Sequence, residues 1–166
     1  MAGDSSLQVD QDYLLKKEAV VAYLFRLCRM LDDFEIKRFV EEFTDDGTYR
    51  LIPRDNHERK LPVHVIDDNK SRLIYRTNVI TDHWHYERFR ETRMLSNVMV
   101  EFPSDRNAIA KSNLIIYHTD AEGRTKLHMT CVLEDHLVAL DGRWRIKDRI
   151  AILESFLPDE AIVVPP

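Results

Sequence analysis

The chain has 166 residues and a mass of 19.6 kDa, the length of one ordinary domain built around one core. Hydrophobic residues make up 44% of it and charged residues 32%, which excludes a largely disordered, collagen-like or membrane-embedded chain. The formal net charge of −5 lacks the basic excess that a nucleic-acid-binding protein normally shows.

Two helices are predicted at the start of the chain. After a polar leader at residues 1–8, apolar residues recur at helical spacing over residues 14–31, behind an acidic first turn. Asp32 is placed to cap a short second helix over residues 36–43, with Glu35 completing a capping box.

The middle of the chain is predicted to hold one strand, one loop and a third helix. Residues 48–53 have strand composition and end at a proline, whereas residues 54–62 are charged and poor in large apolar side chains, which is typical of a loop. Asp67 and Asp68 are placed to cap a helix whose apolar face ends at Trp84.

The second half of the chain is predicted to be a meander of long antiparallel strands. Four β-rich runs, separated by turn-forming sequences, cover residues 94–102, 108–119, 126–140 and 143–153. Strands of this length twist strongly, so the sheet should curl around the helices. The sequence therefore predicts an α+β fold in which a strongly curved antiparallel sheet wraps around the N-terminal helices. We expect a single domain over residues 1–166, with residues 157–166 as an extended tail along a surface.

The last hairpin predicts an unusual pair of carboxylates. An Asp-Gly turn at residues 141–142 sets a register in which the numbers of opposed residues add to 283, as 141 and 142 do. This register places Asp135 opposite Asp148 on the apolar face of the hairpin. The two carboxylates then either form an acid/base pair or mark a sheet end or subunit contact where an arginine neutralises them. Arg90 and Arg93 are the candidate cations within the chain.

No metal or cofactor site is predicted in this chain. His83 and His85 form a His-x-His pair, but a catalytic zinc or a facial-triad iron needs a third ligand, and no nearby carboxylate has a motif spacing. Cys28 and Cys131 lie within apolar patterns that are typical of buried thiols. Motifs for phosphate loops, nucleophile elbows and dinucleotide binding are absent from the sequence.

A cytoplasmic location is predicted. The first residues lack the basic and apolar regions of a signal sequence. The longest uninterrupted apolar run, residues 19–25, is much shorter than the ~20 residues that cross a bilayer.

Three stretches carry a resemblance to a known family. They are Tyr-Arg-Leu-Ile-Pro at 49–53, Arg-Met-Leu-Ser-Asn-Val at 93–98 and Gly-Arg-Trp-Arg-Ile-Lys-Asp-Arg at 142–149. With the long first helix and the helix leading to Trp84, they make residues 10–158 resemble the small (beta) subunit of aromatic-ring-hydroxylating dioxygenases. That family has a cystatin-like or nuclear-transport-factor-like cone fold, shared with ketosteroid isomerase and scytalone dehydratase.

The resemblance implies a non-catalytic role in a larger oxidoreductase that degrades aromatic compounds. The chain would assemble with and stabilise a large (alpha) oxygenase subunit, which carries the Rieske [2Fe-2S] cluster and the mononuclear iron. It would self-associate as a trimer within a hetero-hexamer of three large and three small chains, and would contribute no catalytic residue. Interface or structural roles are then expected for Arg93, Asn97, Asp135, Trp144 and Asp148.

The alternative is a stand-alone dehydratase or isomerase of the same cone fold, which uses an acid/base pair in the open end of the cone. Its candidate catalytic residues are Asp32, Tyr49, His85 and His118. A third possibility is a non-enzymatic binding module with an apolar pocket. A neighbouring gene for a Rieske-type large subunit favours the first interpretation, whereas an isolated gene favours the other two.

Overall fold

The structure, a computed structural model, describes residues 11–156 and 162–166, so the predicted leader at 1–8 lies outside the described residues. The long first helix is confirmed as α1, Gln11–Asp32. Its buried side chains recur at helical spacing and form the stripe that faces the sheet. They are Val20, Tyr23, Leu24, Leu27, Cys28, Met30 and Leu31. None of the helices in the described ranges could span a bilayer.

The connection from α1 to the second helix is a tight reversal. Phe34 adopts a φ of 59°, in the left-handed region, and α2 begins shortly after it as Ile36–Glu41. The predicted capping by Asp32 is wrong. Asp32 is the last residue of α1, and its carboxylate accepts hydrogen bonds from the backbone N–H and the guanidinium of Arg93.

The first two strands form one edge of the sheet. β1 spans Phe43–Pro53, so it starts earlier than predicted and ends at the predicted proline. A short helix, α3, follows at Arg54–Glu58, where a loop was predicted. β2, Ile66–Asn69, then pairs with β1 in an antiparallel arrangement.

The third predicted helix starts later than its expected caps. It is α4, Lys70–Asn78, and it continues into a wider π-helical turn at Val79–His83. The side chain of Asn69 caps it by accepting a hydrogen bond from a backbone N–H of the first turn at 3.0 Å. The expected caps Asp67 and Asp68 lie in β2 instead, where Asp68 is buried and pairs with two arginines of α4.

The four long strands predicted for the second half of the chain are confirmed. They are β3 at Arg90–Ser104, β4 at Asn107–Thr119, β5 at Thr125–Leu140 and β6 at Arg143–Leu153. One six-stranded sheet has the order β2-β1-β6-β5-β4-β3, with β1 and β6 parallel and the other neighbours antiparallel. The predicted α+β fold, a curved sheet around the helices, is confirmed.

The register of the last hairpin differs from the prediction beyond its fourth pair. Asp141 and Gly142 have φ values of 51° and 73°, as a two-residue turn with both central residues left-handed requires. The predicted register holds from this turn to Leu137, which pairs with Ile146, but a bulge then adds Lys147 to β6. Beyond the bulge every side chain of β6 is on the opposite face from the one predicted.

The predicted pairing of Asp135 with Asp148 is therefore wrong. Asp135 lies opposite Arg149, and His136 lies opposite Asp148. The cation that neutralises Asp135 is Arg149 of the same hairpin, rather than Arg90 or Arg93 from β3.

The apolar core lies between the helices and the inner face of the sheet, and residues near the end of the sequence contribute to it. Val164, Pro165 and Pro166 are buried, and Val164 belongs to the same apolar cluster as α1 and the strands. The expectation of a tail along a surface is wrong for residues 164–166, because their apolar side chains enter the core. Residues 157–161 of that tail lie outside the described residues.

Candidate functional site

A group of buried polar side chains lies on the inner face of the sheet, where β3, β4 and β5 meet the end of α1. We call it the inner cluster, and its members are Asp32, Glu91, Arg93, His118 and His128. Glu91 and Arg93 share a face because they are two positions apart on a strand. Glu91 lies opposite His118 in the ladder of β3 and β4.

Arg93 is the centre of the inner cluster. Its guanidinium is fully buried and donates to Asp32 Oδ1 at 3.1 Å and to Glu91 Oε2 at 2.8 Å. It also donates to the backbone carbonyl oxygen of Pro165 at 3.0 Å. One cation therefore serves two carboxylates and a carbonyl, and this arrangement fixes the end of α1 against β3.

The two histidines extend the inner cluster along the sheet. His128 Nε2 lies 3.8 Å from the second oxygen of Glu91. The His118 ring is 5.6 Å from the His128 ring, centroid to centroid, and stacks on Phe89 at 5.1 Å with an interplanar angle of 18°. His118 Nδ1 is buried and has no hydrogen-bond partner among the described residues. The cluster thus ends on an imidazole nitrogen that has no hydrogen-bond partner among the described residues.

A cavity of about 590 Å³ lies beside the inner cluster. Phe34, Tyr86 and Phe89 form its aromatic wall, and Asp32 and Glu91 reach it from the cluster. Both carboxylates are already bonded to Arg93, so they face the cavity as paired rather than free bases.

The four candidate catalytic residues of the alternative interpretation do not form an acid/base pair. Asp32 bonds to Arg93, and Tyr49 is buried on β1 and donates to the carbonyl oxygen of Pro166 at 3.1 Å. His118 stacks on an aromatic ring, and His85 is exposed in the segment before β3. Within the described ranges, no hydrogen bond, ion pair or ring contact joins any two of the four.

The His-x-His pair lies on the surface. His83 ends the π-helical turn, and both it and His85 are exposed. Trp84, predicted to end the apolar face of the third helix, is 43% exposed. Across the described residues, no group of three or more His, Cys, Asp or Glu side chains is placed to hold a metal ion.

A second buried ion pair lies deeper in the sheet. Arg149 donates from Nε to Asp135 Oδ1 at 2.6 Å and from Nη2 to Oδ2 at 3.1 Å, and its guanidinium lies over the Phe39 ring at 5.6 Å. Burial opposes the charge of Arg149, but the Asp135 carboxylate outweighs burial and raises the pKa of the guanidinium. This two-point geometry is the strongest form of an arginine–carboxylate contact. The pair holds β5 to β6.

The three other residues expected to have interface or structural roles lie apart from the inner cluster. Asn97 has a φ of 51° within a bulge of β3. Trp144 follows the last turn and packs on Phe102 at 6.3 Å. Asp148 is on the outer face, where it accepts a hydrogen bond from Thr48 Oγ1 at 2.7 Å.

Sequence reasoning missed two members of the inner cluster, Glu91 and His128, and also Arg149 of the second buried ion pair. The alternation of Glu91 with Thr92 and Arg93 was a usable signal, because it places a carboxylate and a guanidinium on one face. His128 lies in a bulge of β5, between the residues that pair with β4, so its inward orientation does not follow from simple alternation.

The chain matches the sequence profile of one protein family over most of its length. The family is the SnoaL-like domain, and the match covers residues 12–150. Among curated proteins, the chain is similar to the beta 1 subunit of the terminal oxygenase component of terephthalate 1,2-dioxygenase from Comamonas. The two are 22% identical, over 92% of this chain and 99% of that subunit.

Two solved structures from Novosphingobium aromaticivorans share the fold. One is assigned as the beta subunit of an aromatic-ring-hydroxylating dioxygenase, with a TM-score of 0.83, 19% identity and coverage of 94% of this chain and 99% of that one. The other is assigned as a scytalone dehydratase, with a TM-score of 0.69, 17% identity and coverage of 93% and 94%. The resemblance to dioxygenase small subunits that the sequence indicated is confirmed.

Proposed function

The chain belongs to the SnoaL-like domain family, and from this membership we propose that it is the small (beta) subunit of an aromatic-ring-hydroxylating dioxygenase. In this role it assembles with a large (alpha) subunit and stabilises it, in the degradation of aromatic compounds. Similarity to a dioxygenase beta subunit along nearly the whole of that relative supports the proposal. We propose further that residues 1–166 form one domain and that the protein is cytoplasmic.

The pairing of the buried charges is the observation that carries the non-catalytic part of this proposal. Asp32 and Glu91 are both bonded to Arg93, and Asp135 is bonded to Arg149. A general acid or base must reach the proton it transfers, and these carboxylates are directed at arginines inside the fold. We propose that the inner cluster is a structural network and that this chain contributes no catalytic residue.

The redox groups are proposed to belong to the large subunit. By the family resemblance, that subunit carries the Rieske [2Fe-2S] cluster and the mononuclear iron. The Rieske cluster requires two cysteine and two histidine ligands, whereas Cys28 and Cys131 of this chain are both buried inside the core.

We propose that the chain self-associates as a trimer through the outer face of its sheet. Met94 on β3, Tyr117 on β4 and Leu127 on β5 are exposed, with Leu127 directly opposite Tyr117. Apolar side chains grouped on a sheet face favour a protein contact over exposure to water. Arg93, Asp135 and Trp144 are proposed to be structural, because they are directed into the fold, whereas Asn97 and Asp148 remain candidates for a subunit contact.

The stand-alone dehydratase or isomerase is the second candidate function. The position of His118 favours it, because the residue lines a small depression together with Tyr86 and Phe89, and histidine is a common general base. The structural similarity to a protein assigned as a scytalone dehydratase is consistent with it at the level of the fold.

Substitution of the histidines distinguishes the two functions. We expect His118→Gln and His85→Gln, each in the complex of this chain with its large subunit, to leave aromatic turnover per iron within about twofold. A general acid or base contributes roughly 10²–10⁴-fold to a rate, so a loss of that size would contradict the proposal. Iron content of each complex, measured in parallel, separates a catalytic defect from an assembly defect. His83 is exposed and is not among the four candidates, so His83→Gln serves as the control for the substitution itself.

A further inference from the structure

Residues 162–166 lie beside three depressions of the structure, which they help to line. Ile162 lines a depression that Trp84 also lines, and Val163 lines a second depression together with His118. Val164 lines the cavity of about 590 Å³, together with Phe34. Val164, Pro165 and Pro166 are then buried inside the fold. The last described residues of the chain therefore occupy part of the interior that the sheet and the helices enclose.

Two hydrogen bonds fix this segment to buried donors. The hydroxyl group of Tyr49 donates to the carbonyl oxygen of Pro166 at 3.1 Å, and Arg93 Nη2 donates to that of Pro165 at 3.0 Å. The side chains of both donors are buried. A buried hydrogen-bond donor without an acceptor destabilises the folded state. Residues 165 and 166 therefore stabilise the fold by supplying acceptors to these two donors.

The composition of the segment suits this position. A proline has no backbone N–H, so neither proline brings into the core a backbone donor that needs a partner. Their fixed φ angles also reduce the conformational entropy that is lost when the segment becomes ordered.

We propose that the interior of the cone is a binding site for a short, apolar, extended peptide, and that residues 164–166 occupy it as a ligand within the same chain. Tyr49 and Arg93 supply the two donors, and the backbone oxygens of Pro165 and Pro166 are the groups recognised. This inference does not depend on the proposed function, because it concerns the interior of this chain alone.

Cys131 reports on access to this site because its thiol lies near both donors, close enough to interact electrostatically with Arg93 and with Tyr49. It is buried on the inner face of β5, between Leu114 and Leu153 of the neighbouring strands. Burial raises the pKa of its thiol to about 12. At pH 8 the thiol is then almost wholly protonated and unreactive, whereas an exposed cysteine with a pKa near ~8.5 is partly ionised.

The test compares thiol labelling in two proteins that carry Cys28→Ser, so that Cys131 is the only cysteine. One is the full chain and the other lacks residues 162–166. With 5,5′-dithiobis(2-nitrobenzoate) at pH 8, we expect Cys131 of the shortened protein to react at least about 100-fold faster than Cys131 of the full chain. The reagent can then reach the thiol, and the pKa of the thiol returns towards that of an exposed cysteine. Adding the peptide Ile-Val-Val-Pro-Pro should slow labelling again. Ile-Val-Val-Ala-Ala, the matched control, should slow it less because it brings backbone N–H groups into the site.

Two results would overturn the proposal. One is labelling of the shortened protein within twofold of the full chain, and the other is fast labelling that saturating Ile-Val-Val-Pro-Pro does not slow, because this means general loosening of the fold. If the shortened protein does not fold, Val164→Asp in the full chain replaces it. We expect this variant to label faster and to be slowed by the same peptide, and unchanged labelling would equally refute the site.

Discussion

Replacing Arg149 with methionine is expected to lower the free energy of unfolding by about 3–5 kcal/mol, as measured by urea denaturation. Arg149 and Asp135 are both buried, and Arg149 makes two hydrogen bonds to the carboxylate. Without the guanidinium, the charge of Asp135 is left inside the core with no counter-charge. Most of the expected loss in unfolding free energy comes from the desolvation of that unpaired charge, and less from the two lost hydrogen bonds.

The double variant Asp135→Leu/Arg149→Met isolates this cause. Removing both charges leaves no unpaired ion, so we expect it to recover most of the stability lost in the single variant. The outer face of the same sheet provides a matched control in the exposed pair of Lys111 and Glu134. Lys111→Met should change the unfolding free energy by less than about 1 kcal/mol. A double variant as unstable as Arg149→Met would show that side-chain packing, and not charge pairing, is what Arg149 provides.

Arg93→Met is expected to have an effect of similar size, about 3–5 kcal/mol. Arg93 is the cation that separates Asp32 from Glu91, and it also donates to the carbonyl oxygen of Pro165. Its loss leaves two carboxylates close together at the end of α1, and releases one of the two hydrogen bonds that hold residues 164–166. The melting temperature and the unfolding free energy should fall together.

Arg90 is the matched control for Arg93. It lies on the same strand, it is exposed, and its side chain makes no ion pair or hydrogen bond in the part of the chain that the structure describes. Arg90→Met should therefore leave stability within about 0.5 kcal/mol of the unmodified protein. Equal losses from the two variants would contradict the structural role assigned to the inner cluster.

The elements that the sequence predicted correctly are those that local chemistry determines. Turn residues separate the long strands, and the left-handed pair Asp141 and Gly142 sets the first pairs of the last hairpin. The buried positions of α1 recur at helical spacing. In each case the element is determined by residues that are close together in the sequence, so it can be predicted without knowledge of the tertiary fold.

The errors arise where a distant contact overrides the local pattern. The bulge at Lys147 shifts β6 by one residue and places Arg149, rather than Asp148, opposite Asp135. No local sequence signal marks a bulge there. β2 has four residues and forms because β1 offers a free edge, which displaces the start of α4 from Asp67 and Asp68 to Asn69.

The inner cluster was only partly predictable for the same reason. Arg93 was singled out by resemblance, and its alternation with Glu91 was readable in the sequence. Its contacts with Asp32 and Pro165 join residues that lie 61 and 72 positions away in the chain. Such contacts exist only once the sheet has curled around α1, so periodicity and spacing do not reveal them.

The most direct measurement is the composition and mass of the complex that this chain forms. The chain, carrying an affinity tag, is co-expressed with a Rieske-type large subunit from the same source, and the purified material is analysed by light scattering and for iron. We expect the two chains to co-purify in equal amounts, with a mass equal to three of each, and iron to be present only with the large subunit. A tagged chain that purifies alone, as a monomer, while the large subunit assembles and turns over its substrate without it, would contradict the account.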